Sequence, residues 1–360
     1  MKYQDEFRDG ALARRLAARL REASTRPVRL MEICGTHTVA IFRHGLRSIL
    51  PETIKLISGP GCPVCVTAAE EMDRAIRLAR TPGVRVAAYG DLIKVPGSES
   101  SLKEEMADGA KVTVVYSSLD ALDLARRHPN EEVVFLGIGF ETTAPTAAAA
   151  VLTAARAGLE NFSILSAHKL LPPALDALLS DGEVKIDGFL CPGHVTTIIG
   201  TEAYQRVARE HEVPSVVTGF EPVDILQGIL MLVELLEAGR AEALIQYKRG
   251  ASEQGNPKAR EIMNLVFEPV DSPWRGLGRI PLSGLDPRPD FAKFDARKRF
   301  DLEVPPAQDP PGCRCGQVLK GVLTPRECPL FDRVCQPDRP VGPCMVSSEG
   351  TCAAYYKYGR

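Results

Sequence analysis

Residues 31–66, MEICGTHTVAIFRHGLRSILPETIKLISGPGCPVCV, hold three cysteines and two histidines. Segments 28–33 and 54–58 are short, largely apolar and bounded by Gly or Pro, which predicts two buried strands of a parallel sheet with a helix between them. A cysteine motif follows each predicted strand: Cys34-Gly-Thr-His37 after the first and Gly59-Pro-Gly-Cys-Pro-Val-Cys65 after the second. In open α/β sheets, ligands bind outside the carboxyl ends of the strands. We therefore expect the three thiols to face one crevice.

The alternation of strands and helices continues along the chain. Further short apolar segments predict strands at 84–88, 111–116, 132–138, 162–166, 186–190 and 215–217. Helical segments separate them, which implies βαβ units with parallel sheets. A strand followed by a turn with Gly and Thr and then by a helix occurs at 34–38 and again at 139–143, and this weak internal likeness suggests two related lobes.

Composition restricts the classes of function. The chain has 360 residues, of which 25% are charged, and a formal net charge of -2. Such a balance does not indicate binding to nucleic acid or to an anionic membrane surface. Residues 1–20 mix acids and bases without an apolar core, which argues against a signal peptide, and no apolar run is long enough to span a bilayer. We expect a cytoplasmic protein.

The ten cysteines indicate metal or redox chemistry, because the cytosol keeps thiols reduced and disfavours a disulfide framework. Six of them lie in the last 50 residues: Cys313, Cys315, Cys328, Cys335, Cys344 and Cys352. That segment has few large apolar residues and therefore needs a cross-link. Structural zinc usually takes closely paired cysteines, whereas the intervals between Cys315, Cys328, Cys335, Cys344 and Cys352 are wider and the segment lacks a histidine. The pattern favours an iron-sulfur cluster; zinc and unligated buried thiols remain alternatives.

The expected fold class is accordingly α/β, with two Rossmann-like lobes of parallel sheet and a small C-terminal cysteine-rich iron-sulfur domain. We place the first lobe at 1–118, the second at 119–248, and a connector with the C-terminal domain at 249–360. Residues 223–247 are expected to form one long helix. The segment 250–310 is rich in Pro, Gly and charge, which indicates a connector on the surface.

Cys62-Pro-Val-Cys65 is a C-x-x-C motif, which lowers the pKa of a thiol and suits reversible disulfide formation. The alternative is that Cys62 and Cys65 are simply two small buried residues of the core. Cys34 and His37 offer a soft thiolate and an imidazole, a pair suited to a transition metal such as iron. Taken alone, the ring of His37 fits a hydrogen bond to backbone equally well.

Titratable residues also follow the later predicted strands. They are Glu141, His168, Cys191, His194 and Glu221. Each is a candidate for the facing wall of the crevice, and each also fits a helix cap, a turn or a satisfied core group. The chain lacks the G-x-G-x-x-G and G-x-x-x-x-G-K-S/T fingerprints and the G-x-S-x-G elbow, which disfavours a dinucleotide, a nucleoside triphosphate or a simple hydrolase.

Several motifs, in order and over nearly the whole chain, resemble those of the HypD family of hydrogenase maturation factors. They are Cys34-Gly-Thr-His37, Gly59-Pro-Gly-Cys-Pro-Val-Cys65, Gly90-Asp91 with Val95-Pro-Gly-Ser98, Gly139-Phe-Glu-Thr-Thr143, Cys191-Pro-Gly-His194, Gly219-Phe-Glu-Pro222 and Gly342-Pro-Cys-Met-Val-Ser-Ser-Glu-Gly350. The resemblance implies two α/β lobes and a C-terminal domain with a [4Fe-4S] cluster. It also implies a scaffold, with the small partner HypC, on which the iron of [NiFe] hydrogenases receives cyanide and carbon monoxide.

In that family, the cysteine at the position of Cys34 is thought to ligate the iron together with a cysteine of HypC. HypE supplies the cyanide, and the hydrogenase large subunit is served indirectly. For the cluster we assign Cys315, Cys328, Cys335 and Cys344, with Cys352 as the alternative ligand and Cys313 as a spare.

Roles for the remaining site residues follow from this resemblance. Cys62 and Cys65 are expected to be a redox dithiol that exchanges electrons with the cluster and the iron. His37, Glu141, His168 and His194 are expected to orient ligands or handle protons. Two other functions remain open: an iron-sulfur thiol-disulfide oxidoreductase acting on protein partners, and a zinc-stabilised interaction protein.

Overall fold

The computed structural model describes residues 5–307 and 309–359 and confirms the α/β class. Two parallel sheets are flanked by helices, and a cysteine-rich region follows them at the C-terminus. Of the segments interpreted above, residues 1–4 of the N-terminus and Gln308 in the Pro-rich segment lie outside the described residues.

The predicted strands form, one further short strand lies in a segment that was expected to be helical, and two more strands make a hairpin. They are β1 (Val28–Glu32), β2 (Ile54–Ser58), β3 (Val84–Ala88), β4 (Lys111–Val114), β5 (Glu132–Gly137), β6 (Phe162–Ser166), β7 (Gly188–Pro192), β8 (Ser215–Thr218), β9 (Ala243–Ile245), β10 (Phe267–Trp274) and β11 (Gly278–Pro287). β6, β7 and β8 are buried along their whole length, as expected of parallel strands covered on both faces.

Helices connect the strands and cover the sheets. They are α1 (Gly10–Ala23), α2 (Gly35–Arg43), α3 (Pro63–Val66), α4 (Ala69–Arg80), α5 (Leu102–Ala107), α6 (Ser118–Arg127), α7 (Ala144–Arg156), α8 (Leu171–Asp181), α9 (Gly193–Ile199), α10 (Glu202–His211), α11 (Pro222–Glu237), α12 (Pro257–Val266), α13 (Ala296–Arg299), α14 (Cys315–Leu319), α15 (Pro343–Val346) and α16 (Thr351–Tyr358). Short 3-10 helices occupy Asp5–Arg8, Leu46–Ser48, Gly90–Lys94, Pro289–Phe294 and Pro325–Glu327. No helix among the described residues combines the length and apolar character needed to cross a membrane.

The two parallel sheets interleave along the chain. The first sheet has the order β2-β1-β7-β8-β9 and the second has the order β4-β3-β5-β6. β1 pairs with β2 on one side and with β7 on the other, so the chain leaves the first sheet, builds the second and then returns. The expected lobe boundary at residue 118 instead falls between β4 and β5 of one sheet. Local alternation predicts strands but does not fix which strands pair, and this explains the difference.

Two predicted segments differ from the structure. The helix expected at 223–247 ends at Glu237, because Gly239 takes a left-handed conformation with φ 63° and the chain turns into β9. The expected connector at 250–310 contains α12 and the antiparallel hairpin β10–β11. This hairpin has only two strands, so both are edges and tolerate the prolines that suggested a connector.

The C-terminal region packs onto the first sheet. Four of its cysteines, Cys315, Cys335, Cys344 and Cys352, share one hydrophobic cluster with Met31, Ile57 and Phe189 of that sheet. On the other side, α16 lies against α2, where the rings of Phe42 and Tyr355 are 4.3 Å apart. The cysteine-rich segment is therefore held against the strands that precede the N-terminal cysteine motifs.

Candidate functional site

Cys34 lines a cleft between the two sheets, with a volume of about 450 Å³, which we call the Cys34 cleft. Cys34 is the N-cap of α2, directly after β1. The other walls come from segments that are distant in sequence and include Gly61, Phe140, Thr143, His194 and Glu349. Five of the sequence motifs therefore meet at one cleft, as expected where the carboxyl ends of parallel strands converge.

The loop after β2 approaches the Cys34 backbone closely. The carbonyl of Gly61 accepts a hydrogen bond from the N–H of Gly35 at 3.2 Å. A Cβ atom on Gly61 would overlap the backbone nitrogen of Cys34, so only glycine fits this position. This contact fixes the C-x-x-C loop beside Cys34.

A C-terminal loop closes another side of the cleft. Thr36 Oγ1 donates a hydrogen bond to Glu349 Oε1 at 2.7 Å. Burial, and next the negative charge of Glu349, raise the pKa of the Cys34 thiol to about 12. Without a metal ion the thiol therefore keeps its proton, and a metal that binds Cys34 would displace it.

Cys62 and Cys65 are joined as a disulfide, with their Cα atoms 5.2 Å apart. Cys62 caps the N-terminus of α3, and the pair is almost completely buried, with 4% and 0% of the two residues exposed. Cys65 Sγ lies 3.9 Å from the carbonyl oxygen of Pro343, the residue before Cys344. The disulfide thus lies between the Cys34 cleft and the C-terminal cysteines.

The six C-terminal cysteines converge in what we call the cysteine cluster: Cys313, Cys315, Cys328, Cys335, Cys344 and Cys352. Cys315 Sγ and Cys344 Sγ lie 2.7 Å apart. Cys315 also contacts Cys313 through its side chain, and Cys344 contacts Cys352. Cys313 and Cys328 are partly exposed, and the other four are buried.

The spacing of these sulfurs bears on which metal group fits them. A tetrahedral zinc ion holds four sulfurs about 3.8 Å apart, given Zn–S bonds of about 2.3 Å. Within the described chain, the group with three ligand atoms inside 4.8 Å of one another is Asp176, Glu210 and His211, not a set of cysteines. Arg206 makes ion pairs with both of those carboxylates. A cluster of several irons takes each thiolate on a different iron, and six converging cysteines without a histidine supply enough thiolates for it.

An aromatic stack lies beside the Cys34 cleft. Phe220 packs between the rings of His37, at 4.9 Å, and His194, at 4.0 Å. His37 Nε2 donates to the carbonyl of Gly219 at 2.9 Å, and Nδ1 has no hydrogen-bond partner. Burial lowers the pKa of His37 to about 4, so the ring is neutral at pH 7.

The family model described as "Hydrogenase formation hypA family", with the short name HypD, matches residues 11–359 of the chain. The hydrogenase maturation factor HypD of Azotobacter vinelandii is 49% identical over 369 residues, which covers 100% of this chain and 97% of that protein.

The chain belongs to the HypD family.

Other relatives extend across bacteria. The hydrogenase maturation factor HypD of Cupriavidus necator is 48% identical, with 100% of this chain and 98% of that protein covered. The hydrogenase maturation factor HypD of Escherichia coli K12 is 43% identical, with 99% and 98% covered. The match spans both sheets and the cysteine-rich region.

The structure of this HypD-family chain brings only some of the candidate residues to the cleft. Cys34 and His194 line it, and His37 lies behind the stacked Phe220. His168 is buried away from the cleft, where Ser166 Oγ is 3.1 Å from its Nδ1 and Phe267 packs on its ring; burial lowers its pKa to about 3. Cys191 is buried within β7.

Glu221 is a helix cap, which is one of the alternative roles considered for it. It is the N-cap of α11 and forms an ion pair with Arg8. Sequence reasoning did not single out Glu349 or Phe220 as site residues, although both stand inside quoted motifs, Gly342–Gly350 and Gly219–Pro222. Both motifs are visible in the sequence, but only the fold shows which of their members lie at or beside the cleft.

Glu141 lies behind Phe140, one of the residues that line the cleft. It is 1% exposed, its Oε1 accepts a hydrogen bond from the N–H of Leu171 at 2.9 Å, and its Oε2 has no partner. Burial raises the pKa of Glu141 from 4.5 to about 7. The protonated form is therefore favoured in the folded chain.

This shift gives stability a pH dependence that Glu141→Gln should remove. Below pH 4.5 the Glu141 carboxyl is protonated in both the folded and the unfolded chain. As pH rises toward 7, the unfolded chain loses this proton first, and the free energy of unfolding therefore falls. Relative to Glu141→Gln, the wild type should become less stable by about 3 kcal/mol between pH 4.5 and 7. Urea unfolding of both proteins at stepped pH measures the difference. A constant difference across this range would contradict the protonated Glu141.

Proposed function

We propose that this chain is a hydrogenase maturation factor on which an iron ion receives cyanide and carbon monoxide before transfer toward a [NiFe] hydrogenase. The observation that carries the proposal is the Cys34 cleft, where a free thiol lies between two sheets and the loop that leads into a buried disulfide contacts its backbone. The names of the relatives support the same role, since they are called hydrogenase maturation factors. We propose that this maturation takes place in the cytoplasm.

In this proposal the iron is the substrate. Cys34 supplies one soft thiolate, and a second thiolate comes from the small partner HypC. The cleft volume of about 450 Å³ leaves room around Cys34 for diatomic ligands and for a partner segment. HypE supplies the cyanide. Thr36 and Glu349 hold the loop beside Cys34, and the stack of His37, Phe220 and His194 borders the cleft.

The cysteine cluster fits an iron-sulfur group by its donor chemistry, because it offers six free cysteines and no histidine. Cys315, Cys328, Cys335 and Cys344 would hold a [4Fe-4S] cluster, with Cys352 as the alternative ligand. When bound, such a cluster supplies one-electron redox chemistry.

In this proposal Cys62 and Cys65 act as a redox dithiol, because they lie between the proposed iron position at Cys34 and the cysteine cluster. Their reduction takes two electrons and two protons and gives two thiols. We expect Cys62→Ser with Cys65→Ser to keep iron and sulfide at wild-type content but to lack infrared bands from cyanide and carbonyl ligands. Cys191→Ser, which replaces a buried thiol outside the cleft, is the control. Full-strength bands in the double variant would remove the dithiol from the proposal.

A thiol-disulfide oxidoreductase acting on protein partners is the second candidate function. It requires a partner thiolate to reach one of the two sulfurs. The near-complete burial of Cys62 and Cys65 disfavours that reading, whereas transfer to a metal inside the cleft needs no such access.

The deciding experiment is anaerobic purification of the chain co-expressed with its small partner. Iron content, acid-labile sulfide, a visible spectrum and an infrared scan are measured on the same sample. We expect about four sulfides, more than four irons, and bands in the cyanide and carbonyl region. Four irons without bands would favour the oxidoreductase, and zinc without sulfide would overturn the cluster assignment.

A further inference from the structure

Arg275 stands where the β10–β11 hairpin turns, between the disulfide and the cysteine cluster. It is 3% exposed. Its backbone N–H donates to the carbonyl of Val66 at 2.8 Å, and its Nε donates to the carbonyl of Thr67 at 3.1 Å. Both carbonyls belong to the end of α3, the helix that carries Cys65. Arg275 is therefore fixed to the C-x-x-C segment.

The next residue fixes Arg275 to the cysteine cluster as well. Gly276 has a φ of 80° and lies against the backbone of Gly316, so that a Cβ atom on Gly276 would overlap it. Gly316 follows Cys315. The turn that carries Arg275 therefore lies against the segment of the cysteine cluster that begins at Cys315.

One end of the Arg275 guanidinium has no partner. Nη1 pairs with the carboxylate of Asp309, and Nη2 is buried without a hydrogen bond to any described residue. Leaving a buried charged donor unsatisfied costs free energy, so such a group usually has an acceptor in the working protein. A thiolate or sulfide of a metal group held by Cys315 would supply such an acceptor.

We propose that Arg275 is a positioning residue that tunes the reduction potential of the metal group in the cysteine cluster and holds the C-x-x-C helix against it. This inference rests on the iron-sulfur cluster of the proposed function. A cluster held by four thiolates has a net negative charge, and each added electron increases it. A buried cation and its hydrogen bond reduce that electrostatic cost, which raises the potential.

The test is a redox titration of the anaerobically purified, cluster-loaded chain, followed by its visible spectrum with dithionite as the reductant. Arg275→Gln should make reduction at least tenfold less favourable, which is about 59 mV more negative for one electron. Arg275→Lys keeps the charge and should shift the potential less. Asp309→Asn removes the negative charge that opposes Arg275 and should make reduction about threefold more favourable. The effect is smaller because that carboxylate is half exposed.

Arg85→Gln is the matched control, because Arg85 also forms a partly buried ion pair, with Glu131, but lies on β3 of the second sheet. Its potential should equal that of the wild type. Unchanged potentials in both Arg275→Gln and Asp309→Asn, at full iron content, would overturn the proposal. If Arg275→Gln fails to fold, the direction of the Asp309→Asn shift decides. A wild-type protein without sulfide would instead refute the cluster itself.

Discussion

Replacing Cys34 by alanine should abolish iron retention in the complex with the small partner, while the chain still folds. Cys34 is the free thiol of the cleft. Under the proposed function, the iron would keep only the partner's thiolate without it. The substitution removes one small buried side chain and should cost about 1 kcal/mol of the free energy of unfolding. Iron bound in excess of sulfide, measured on the purified complex, gives the result directly.

Cys191→Ala is the matched control for this prediction. Cys191 is buried like Cys34, and burial likewise raises the pKa of its thiol to about 12, but it lies within β7 rather than on the cleft wall. This variant should retain iron. The assignment of Cys34 fails if Cys34→Ala still holds iron at wild-type content, or if both variants lose it equally, since the loss would then follow from the removal of any buried thiol.

Much of this site was predictable because it follows local rules. Buried parallel strands are short apolar runs, and the residues after them must lie at the carboxyl edge of a sheet. That reasoning brought Cys34 and the C-x-x-C motif together, and the structure confirms that the loop at Gly61 touches the Cys34 backbone. The expectation that all three thiols face one crevice was wrong in part, because Cys34 lines the cleft while Cys62 and Cys65 are buried beside it. The α/β class followed from the same alternation.

The parts that escaped prediction depend on contacts between distant segments. The pairing of β1 with β7, which interleaves the two sheets, leaves no trace in local periodicity. The β10–β11 hairpin was hidden by prolines that an edge strand tolerates. Glu349 reaches Thr36 across more than 300 residues of chain. Such contacts decide which titratable residues face the cleft and which, like His168, are satisfied in the core.

The contacts connect the three sulfur groups in one continuous line. Gly61 joins the Cys34 turn to the C-x-x-C loop, Cys65 contacts the residue before Cys344, and Arg275 ties the end of α3 to the region of Cys315. A structural change at the cysteine cluster should therefore alter the packing around the disulfide. Because the helices of the C-terminal region are four to eight residues long, they do not have independent stability.

The second large effect is expected from Cys344→Ala. Cys344 is central in the cysteine cluster, with its sulfur 2.7 Å from that of Cys315 and in contact with Cys352. We expect near-complete loss of acid-labile sulfide and of the visible absorption, and rapid proteolysis within 313–352, because the cross-link of a segment with little core of its own is gone. Cys313→Ser replaces the partly exposed cysteine assigned as the spare and should keep both signals. The opposite pattern, with the cluster kept in Cys344→Ala and lost in Cys313→Ser, would show that the ligand set is wrong while leaving the cluster itself in place.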